Sequence, residues 1–251
     1  MPLNIHPIKA LKDNYIWAIV NDATSQVAVL DPGDAQPVFD FLQHNPLQLV
    51  AILVTHRHWD HTNGIASLVE RFNVPVYGPE KDLLPIYTVL LNDHDQVHLL
   101  ELEFEVLSLP GHTHGHIAYY GHCTLFCGDT LFSAGCGRMF EGTPSELYHS
   151  LQRLAALPQE TEVYCGHEYT FNNLRFASLV EPHNDTIQTR LTHIKNQPVT
   201  LPSSLAIELA TNPFLRCHIK EVRESAAHYI GHELNDPIAV FAALRQWKDQ
   251  F

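Results

Sequence analysis

The densest set of metal-binding residue types in the sequence is the segment 55–61, which reads Thr-His-Arg-His-Trp-Asp-His. It follows directly on an apolar run that predicts a buried strand. Neutral imidazole and carboxylate groups suit divalent ions such as zinc, manganese and iron. In an extended loop, His56 and His58 point to the same side and can reach one ion together. Asp60 and His61 are adjacent, so we expect their side chains to diverge, which fits a second ion beside the first.

Three later segments share one scheme, in which an apolar run ends at a glycine that is followed directly by a possible ligand. They are residues 107–112, 125–129 and 163–167, which end in His112, Asp129 and His167. A glycine lets the backbone turn, and a rigid sheet holds a side chain placed just beyond a strand end. Each of these segments alone is more typical of an ordinary turn, and the segment 55–61 alone could be a histidine-rich surface loop or one structural zinc site. Together they predict a two-metal site where strand ends converge.

Short apolar runs, turns and amphipathic stretches predict an α/β architecture for the first two thirds of the chain. The expected strands are 15–20, 27–30, 49–54, 74–77, 97–100, 104–109, 117–120, 124–127 and 162–165. The expected helices of this part are 38–43, 65–72 and 145–156. Some strands are adjacent and others are separated by helices, which favours mixed sheets over a pure βαβ repeat.

From about residue 167 the pattern changes to helices. We expect helices over 171–180, from a cap at Asp185 to 195, from Ser203 or Ser204 to 210, and from Asp236 to 247. Asp236 is followed by a proline, and an N-cap before a proline at the first helical position is a strong start signal. The predicted division is therefore an α/β domain over residues 1–166 and a small helical domain over 167–251.

Composition narrows the class of protein. The net charge is −13 and no block of Lys and Arg offsets it, which argues against nucleic acid and anionic membrane surfaces as partners. The sequence has no apolar run of about 18 residues and no secretory leader pattern, so we expect a cytoplasmic protein. The five cysteines agree with a cytoplasmic location. None forms a CxxC pair, and Cys127 and Cys165 lie in apolar runs that are typical of buried free thiols. Cys136 lies in a glycine-rich loop, but no cysteine–histidine pairing indicates a nucleophile.

The motifs THRHWDH, PGHTHGH, GDT and GHEYT, in this order, resemble the metallo-β-lactamase superfamily of binuclear hydrolases. Three further segments make the chain similar to one family within it, glyoxalase II or hydroxyacylglutathione hydrolase. They are GCGRMFEGT at 135–143, TNPFLR at 211–216 and RQWKDQF at 245–251. The resemblance runs from about residue 13 to the last residue. It implies an α/β fold in which two mixed sheets form an αββα sandwich, with a small helical, substrate-binding C-terminal domain.

The resemblance also implies a set of metal ligands, and all seven positions are intact. One metal would be bound by His56, His58 and His112, the other by Asp60, His61 and His167, with Asp129 bridging the two. Asp60 and Asp129 would also be the catalytic side chains, acting with a hydroxide held between the metals. We expect two divalent ions per chain, zinc before iron or manganese, since availability decides among them. His116 would support the site without binding metal.

Substrate contacts implied by the resemblance are those of Arg138, Tyr169, Asn173, Arg245 and Lys248. Arg245 and Lys248 lie three apart on a predicted helix and share a face, a pattern that would also suit a solvated helix end. Phe140 stands where some members have tyrosine, so we expect an effect on substrate affinity and none on the chemistry.

The implied activity is the hydrolysis of S-(2-hydroxyacyl)glutathione, such as S-D-lactoylglutathione, to glutathione and D-lactate in the second step of methylglyoxal detoxification. Thiols have a pKa of about 8.5, so the thiolate can leave without a strong general acid. The enzyme alternatives are a lactonase, β-lactamase or phosphodiesterase of the same superfamily, or a persulfide dioxygenase with one iron. The remaining alternative is a non-catalytic metal-binding or zinc-storage protein. We expect a monomer.

Overall fold

The computed structural model describes residues 4–195 and 197–251, and the chain divides into two units by its internal contacts. The first unit runs to Ser108 and includes His114–Gly128, and the second comprises Leu109–Thr113 and Asp129–Phe251. This division follows packing, whereas the predicted boundary after residue 166 follows sequence pattern and stays a prediction. Residues 1–3 of that predicted first domain lie outside the described residues.

In the first unit, one mixed sheet follows the order of the sequence. Its strands are β1 (Asn4–Ala10), β2 (Asn14–Asn21), β3 (Gln26–Leu30), β4 (Gln48–Leu53), β5 (Val76–Pro79) and β6 (Val89–Leu91). Strands β1 to β3 are antiparallel and β3 to β6 are parallel, so the prediction of a mixed sheet is confirmed. Parallel neighbours need a crossover, which α1 (Gln36–His44) supplies between β3 and β4. The crossover between β4 and β5 contains the short helix α2 (Trp59–Thr62) and α3 (Ile65–Phe72).

A second set of strands in the first unit is antiparallel. It consists of β7 (Gln96–Leu99), β8 (Leu102–Ser108), β9 (Ile117–Gly121) and β10 (Thr124–Gly128). The turns between β7 and β8 and between β9 and β10 have two residues each, Leu100-Glu101 and His122-Cys123, all with positive φ. Positive φ at both turn positions matches the right-handed twist of the flanking strands, so these turns fix the register of the hairpins.

The second unit is mainly helical. Its helices are α4 (Pro144–Ala155), α5 (Thr170–Val180), α6 (Asp185–Ile194), α7 (Leu205–Thr211), α8 (Lys220–Ile230) and α9 (Pro237–Gln250). Its strands pair as β11 (Leu131–Phe132) with β12 (Gly135–Cys136), and as β13 (Glu162–Cys165) with β14 (Ser203–Ser204). Its core includes the fully buried Leu174, Phe176, Phe214, Phe241 and Leu244.

Helix ends follow the predicted capping chemistry with one exception. Asp236 accepts a hydrogen bond from the backbone N–H of Ile238 at the start of α9, and Ser204 caps α7 in the same way, so both predictions are confirmed. The cap of α6 is Asn184, not the predicted Asp185, because the Asn184 side chain accepts from two backbone N–H groups. No helix within residues 4–195 and 197–251 combines the length and the apolar character needed to cross a membrane.

Candidate functional site

The segment 55–61 follows β4 and enters α2 after His58. The Nε2 atom of His56 lies 3.0 Å from Nδ1 of His58, so the prediction that these two rings face one point is confirmed. His56 is fully buried in the first unit. Two nitrogens this close, on rings held by one short segment, are placed to share an ion.

Asp60 and His61 do not diverge, and that prediction was wrong. They lie on the helical turn α2, not on extended backbone, and Nε2 of His61 is 3.6 Å from Oδ2 of Asp60. A helical turn rotates adjacent side chains by about 100°, whereas a strand sends them to opposite faces. His56, His58, Asp60 and His61 are called the first ligand group below.

A buried carboxylate that the sequence analysis missed, Asp31, orients this group. Its Oδ1 accepts from the backbone N–H of Thr55 at 2.7 Å, and its Oδ2 accepts from the Thr55 hydroxyl at 2.7 Å. Oδ2 also lies 3.1 Å from Nδ1 of His61. A carboxylate on one ring nitrogen sets the tautomer and directs the other nitrogen toward a metal. Asp31 directly follows β3, and this position just beyond a strand end was the one signal for it in the sequence.

Asn14 orients Asp60 in a similar way. Its Nδ2 donates to the backbone carbonyl and to Oδ2 of Asp60, both at 3.1 Å. The backbone of Asp60 also approaches Gly33 so closely that a Cβ on Gly33 would lie 1.8 Å from the Asp60 carbonyl oxygen. Only glycine fits there, and the loop after β3 therefore fixes the start of α2.

His116, the residue directly before β9, packs against the first ligand group. It is fully buried, and its ring stacks on that of His56 with centroids 4.8 Å apart. Gly128 at the end of β10 has φ of 47°, and a Cβ there would come within 2.8 Å of Nε2 of His116. The contact with His56 agrees with a supporting role for His116.

Three predicted ligands come together in the second unit, and they form the second ligand group. Oδ2 of Asp129 lies 3.6 Å from Nε2 of His112 and 3.3 Å from Nε2 of His167. All three side chains are buried. Nδ1 of His112 is 2.8 Å from the carbonyl oxygen of Arg138, to which it donates when Nε2 is the metal-binding nitrogen. Asp129 is thus placed between two imidazoles, as a bridging ligand would be.

The donor atoms in each group fit a divalent first-row metal. In a tetrahedral site with metal–ligand bonds of 2.0–2.2 Å, neighbouring ligand atoms are roughly 3.3–3.6 Å apart. Four donor pairs within the groups have separations of 3.0 to 3.6 Å, namely His56–His58, Asp60–His61, His112–Asp129 and Asp129–His167. The donor set of imidazole nitrogens and carboxylate oxygens is also the one that zinc, iron and manganese accept.

The predicted basic residues Arg245 and Lys248 lie together on α9. Arg245 is buried and donates to the carbonyl oxygen of Cys136 at 3.0 Å and to Oδ1 of Asp249 at 2.8 Å. The Lys248 ammonium lies over the ring of Phe251 at 5.0 Å. Burial lowers the pKa of Lys248 to about 8, with the charges of Arg245 and Arg138 acting in the same direction.

Arg138 is largely exposed, and its Nε lies 3.5 Å from the same Asp249 oxygen. The Asp249 carboxylate therefore lies near three cationic side chains that are predicted to contact the substrate. Its negative charge offsets part of the repulsion among them. Arg138, Arg245 and Lys248 are called the basic cluster below.

Tyr169, Asn173 and Phe140 also lie in the second unit. The Tyr169 ring stacks on His167 with centroids 4.7 Å apart and planes within 5°. Asn173 is buried, and its Nδ2 donates to the carbonyl oxygen of Ser133 at 3.0 Å. The exposed Phe140 ring meets His112 edge-on at 5.3 Å. The substrate contacts of Tyr169 and Asn173 stay predictions, as does the effect of Phe140 on substrate affinity.

Comparison with known proteins places the chain in a family. The family model "Metallo-beta-lactamase superfamily" matches residues 12–167, and "Hydroxyacylglutathione hydrolase C-terminus" matches residues 168–251. A protein of Nitrosomonas eutropha named hydroxyacylglutathione hydrolase is 51% identical, over 99% of this chain and 99% of its own length. The chain belongs to the hydroxyacylglutathione hydrolase family. The predicted resemblance is therefore confirmed.

Solved structures confirm the predicted fold class. ETHE1 from Myxococcus xanthus is 28% identical with a TM-score of 0.68, covering 99% of this chain and 98% of its own. TTHA1623, solved in a di-iron-bound form, is 27% identical with a TM-score of 0.62, covering 84% of this chain and 100% of its own. The chain thus has the metallo-β-lactamase fold with two mixed sheets, followed by a helical C-terminal part.

Proposed function

We propose that the protein hydrolyses S-(2-hydroxyacyl)glutathione thioesters, with S-D-lactoylglutathione as the representative substrate. The products are glutathione and a 2-hydroxy acid, here D-lactate. The observation that carries this function is the match of the C-terminal family model over residues 168–251, since this part distinguishes the family from other metallo-β-lactamase relatives. Full-length identity of 51% with a relative named hydroxyacylglutathione hydrolase supports it.

We propose that the seven predicted ligands bind two divalent metal ions. One ion would be bound by His56, His58 and His112, and the other by Asp60, His61 and His167, with Asp129 shared. The short separations between donor atoms inside each group support this assignment. When bound, such ions acidify water and stabilise negative charge on a substrate oxygen. Zinc is the proposed metal.

The first unit holds its ligands in place before substrate arrives. Asp31 fixes the His61 ring through Nδ1, and Asn14 fixes the Asp60 carboxylate. Thr55 ties Asp31 to the end of β4 through two hydrogen bonds. Because these supporting side chains are buried and already hydrogen-bonded to the ligands, the ligands need little reorganisation during the reaction. This is the basis of electrostatic preorganisation.

The basic cluster would bind the carboxylates of the glutathione part. The protein has a net charge of −13, so an anionic substrate needs a local positive surface. Arg138, Arg245 and Lys248 supply three cations against the single carboxylate of Asp249. Arg245 is held by Cys136 and Asp249, so it is preorganised and loses little conformational freedom on binding.

Departure of the thiolate needs no acid from the chain, because the pKa of a thiol is about 8.5. Covalent catalysis by cysteine is disfavoured. Burial raises the pKa of Cys136 to about 11, so this thiol stays protonated at neutral pH. A cytoplasmic location and a monomeric state are also part of the proposal.

The test is hydrolysis of S-D-lactoylglutathione by the purified protein, followed by thioester absorbance, with and without a chelator. Metal content is determined in parallel. Fast, chelator-sensitive turnover with about two metals per chain supports the function and the metal assignment. Two metals without turnover would overturn the thioesterase, and lactones and phosphodiesters would be tested next. Turnover that a chelator leaves unchanged in metal-free protein would overturn the metal assignment.

A further inference from the structure

A two-stranded hairpin, β11 and β12, begins two residues after Asp129 in the second unit. Its two-residue turn contains Ala134 with φ of 55°. Each strand is two residues long, and a hairpin of this size is not stable by its own ladder. Its conformation must therefore be maintained by side chains from other elements.

Asn212 supplies part of this support. Its Nδ2 donates to the carbonyl oxygens of Phe132 at 3.2 Å and Gly135 at 2.9 Å, one on each strand of the hairpin. Its Oδ1 accepts from the backbone N–H of Phe214 at 3.1 Å. Asn212 lies in TNPFLR, a segment that the resemblance singled out and to which the proposed reaction gives no role. It is fully buried, so each of these bonds is shielded from water.

Glu208 supplies the rest. Its carboxylate is fully buried and accepts from the backbone N–H of Ala134 at 2.7 Å and from Asn212 at 3.2 Å. Its other oxygen accepts from Arg190 at 2.7 Å and from the Ser203 hydroxyl at 2.5 Å. A buried ion pair is weak evidence of stability, since apolar residues of similar size often stabilise a core as well. Its specific contribution here is to fix one conformation of the hairpin turn.

The base of the hairpin reaches two members of the second ligand group. The backbone N–H of Gly137 donates to the carbonyl oxygen of Thr130 at 3.2 Å, which closes the base one residue after Asp129. The next residue on the other side, Arg138, presents its carbonyl oxygen to Nδ1 of His112 at 2.8 Å. A shift of the hairpin would therefore move the Asp129 carboxylate and rotate the His112 ring.

The third member of the group also touches the hairpin, because Phe132 meets the His167 ring edge-on at 5.8 Å. We propose that Glu208 and Asn212 are positioning residues that hold the second ligand group, through this hairpin, in its metal-binding geometry. This rests on the proposed function only in taking that group as metal-binding.

The first test compares two matched variants. Asn212→Asp keeps the oxygen that accepts from Phe214 but removes both donations to the hairpin and the donation to Glu208. We expect the affinity for zinc to fall about tenfold, measured by chelator competition well below the thermal transition of the metal-free variant. The control is Asn184→Asp, which keeps the α6 cap and removes one donation, to the carbonyl oxygen of Ala210.

The control should keep the zinc affinity of the unmodified protein, even where its thermal stability falls. Wild-type affinity in Asn212→Asp, or an equal loss in both variants, would overturn the proposal. Because zinc binding is measured without substrate, a failure of thioester hydrolysis does not affect this result.

The second test uses the unmodified protein, so it does not depend on the folding of a variant. Amide hydrogen exchange is followed at Ala134 and Gly137 in metal-free and zinc-loaded protein. If Glu208 and Asn212 hold the hairpin, both amides are protected without metal to the level of buried amides in α9, and zinc adds little. Rapid exchange without metal, with protection only after zinc is added, would mean that the metal orders the hairpin and would refute the proposal.

Discussion

The two ligand groups differ in how the chain builds them. The first comes from one segment of sequence, in which a strand end and one helical turn place four candidate ligands. The second comes from three distant positions, His112, Asp129 and His167, each beyond a different strand. The first group is supported by single side chains, Asp31 and Asn14, whereas the second depends on a hairpin that helices of the same unit hold in place. Ligands from one short segment are easy to recognise in a sequence. Ligands from distant positions are harder to recognise, and their geometry depends on more of the structure.

The variant with the largest expected effect tests whether the second ligand group is required for activity. In Asp129→Asn, the oxygen between two imidazoles loses its charge, so we expect kcat/KM for S-D-lactoylglutathione to fall roughly 10³-fold. Metal content should fall as well, and both are measured on the purified variant. Asp185→Asn, which changes an exposed carboxylate in α6, is the control and should behave as the unmodified protein. Full activity in Asp129→Asn would remove this group from the site.

A variant with a smaller expected effect tests whether Asp31 orients the first ligand group. Asp31→Asn keeps the shape of the side chain but removes the charge beside Nδ1 of His61. We expect zinc affinity to fall about 10- to 100-fold, as for other side chains that orient a ligand. Asp34→Asn, in the same loop, removes only a carboxylate bonded to the backbone N–H of Gln36 and should leave affinity unchanged. Equal affinities in the two variants would show that Asp31 does not orient the group.

The basic cluster should affect substrate binding without affecting either ligand group. We expect Lys248→Ala to raise KM roughly fivefold, the loss of one charge-assisted contact, with kcat and metal content unchanged. Lys220→Ala, an exposed lysine in α8, serves as the control. If KM stays constant in Lys248→Ala, or if metal content falls with it, Lys248 does not contact substrate as proposed.

The smallest expected effect is a dependence of KM on pH. The pKa of Lys248 is lowered to about 8, so its ammonium is charged below this pH and neutral above it. An anionic substrate binds the charged form, and KM should therefore rise as the pH passes from 7 to 9. In Lys248→Arg the guanidinium stays charged over this range, so the rise should disappear. The same rise in Lys248→Arg would assign the titration to another group, such as the substrate amine.

Local chemistry explains what could be predicted from the sequence. The spacing of His56 and His58, the strand ends before the ligands and the cap at Asp236 all depend on neighbouring residues, and the structure confirms them. Strand β1 was missed, because only Ile8 and Ala10 are buried in it and Pro7 lies in its centre. Helix α8 was missed too, because only Val222 and Ala226 are buried in it, which leaves too weak an apolar pattern.

The site contacts that the sequence analysis missed depend on residues that are far apart in the sequence. Nothing in the sequence indicates that Asp31 meets His61 or that Asn14 meets Asp60, because the partners in each pair lie near the ends of different strands, which only the folded sheet brings together. The expected divergence of Asp60 from His61 failed because a single helical turn, α2, interrupts the loop. One turn is too short to show a helical period, so the pattern gave no sign of it.

The support of the hairpin by Glu208 and Asn212 limits how this protein can be recombined with its relatives. The hairpin lies in the segment that matches the superfamily, whereas both supporting side chains lie in the segment that matches the hydroxyacylglutathione hydrolase C-terminus. A chimera that joins residues 12–167 to another protein's C-terminal segment would therefore lose these bonds unless that segment supplies equivalent donors and acceptors. A boundary between two family matches in the sequence is therefore not a boundary between independent modules, because the geometry of one segment depends on side chains of the other.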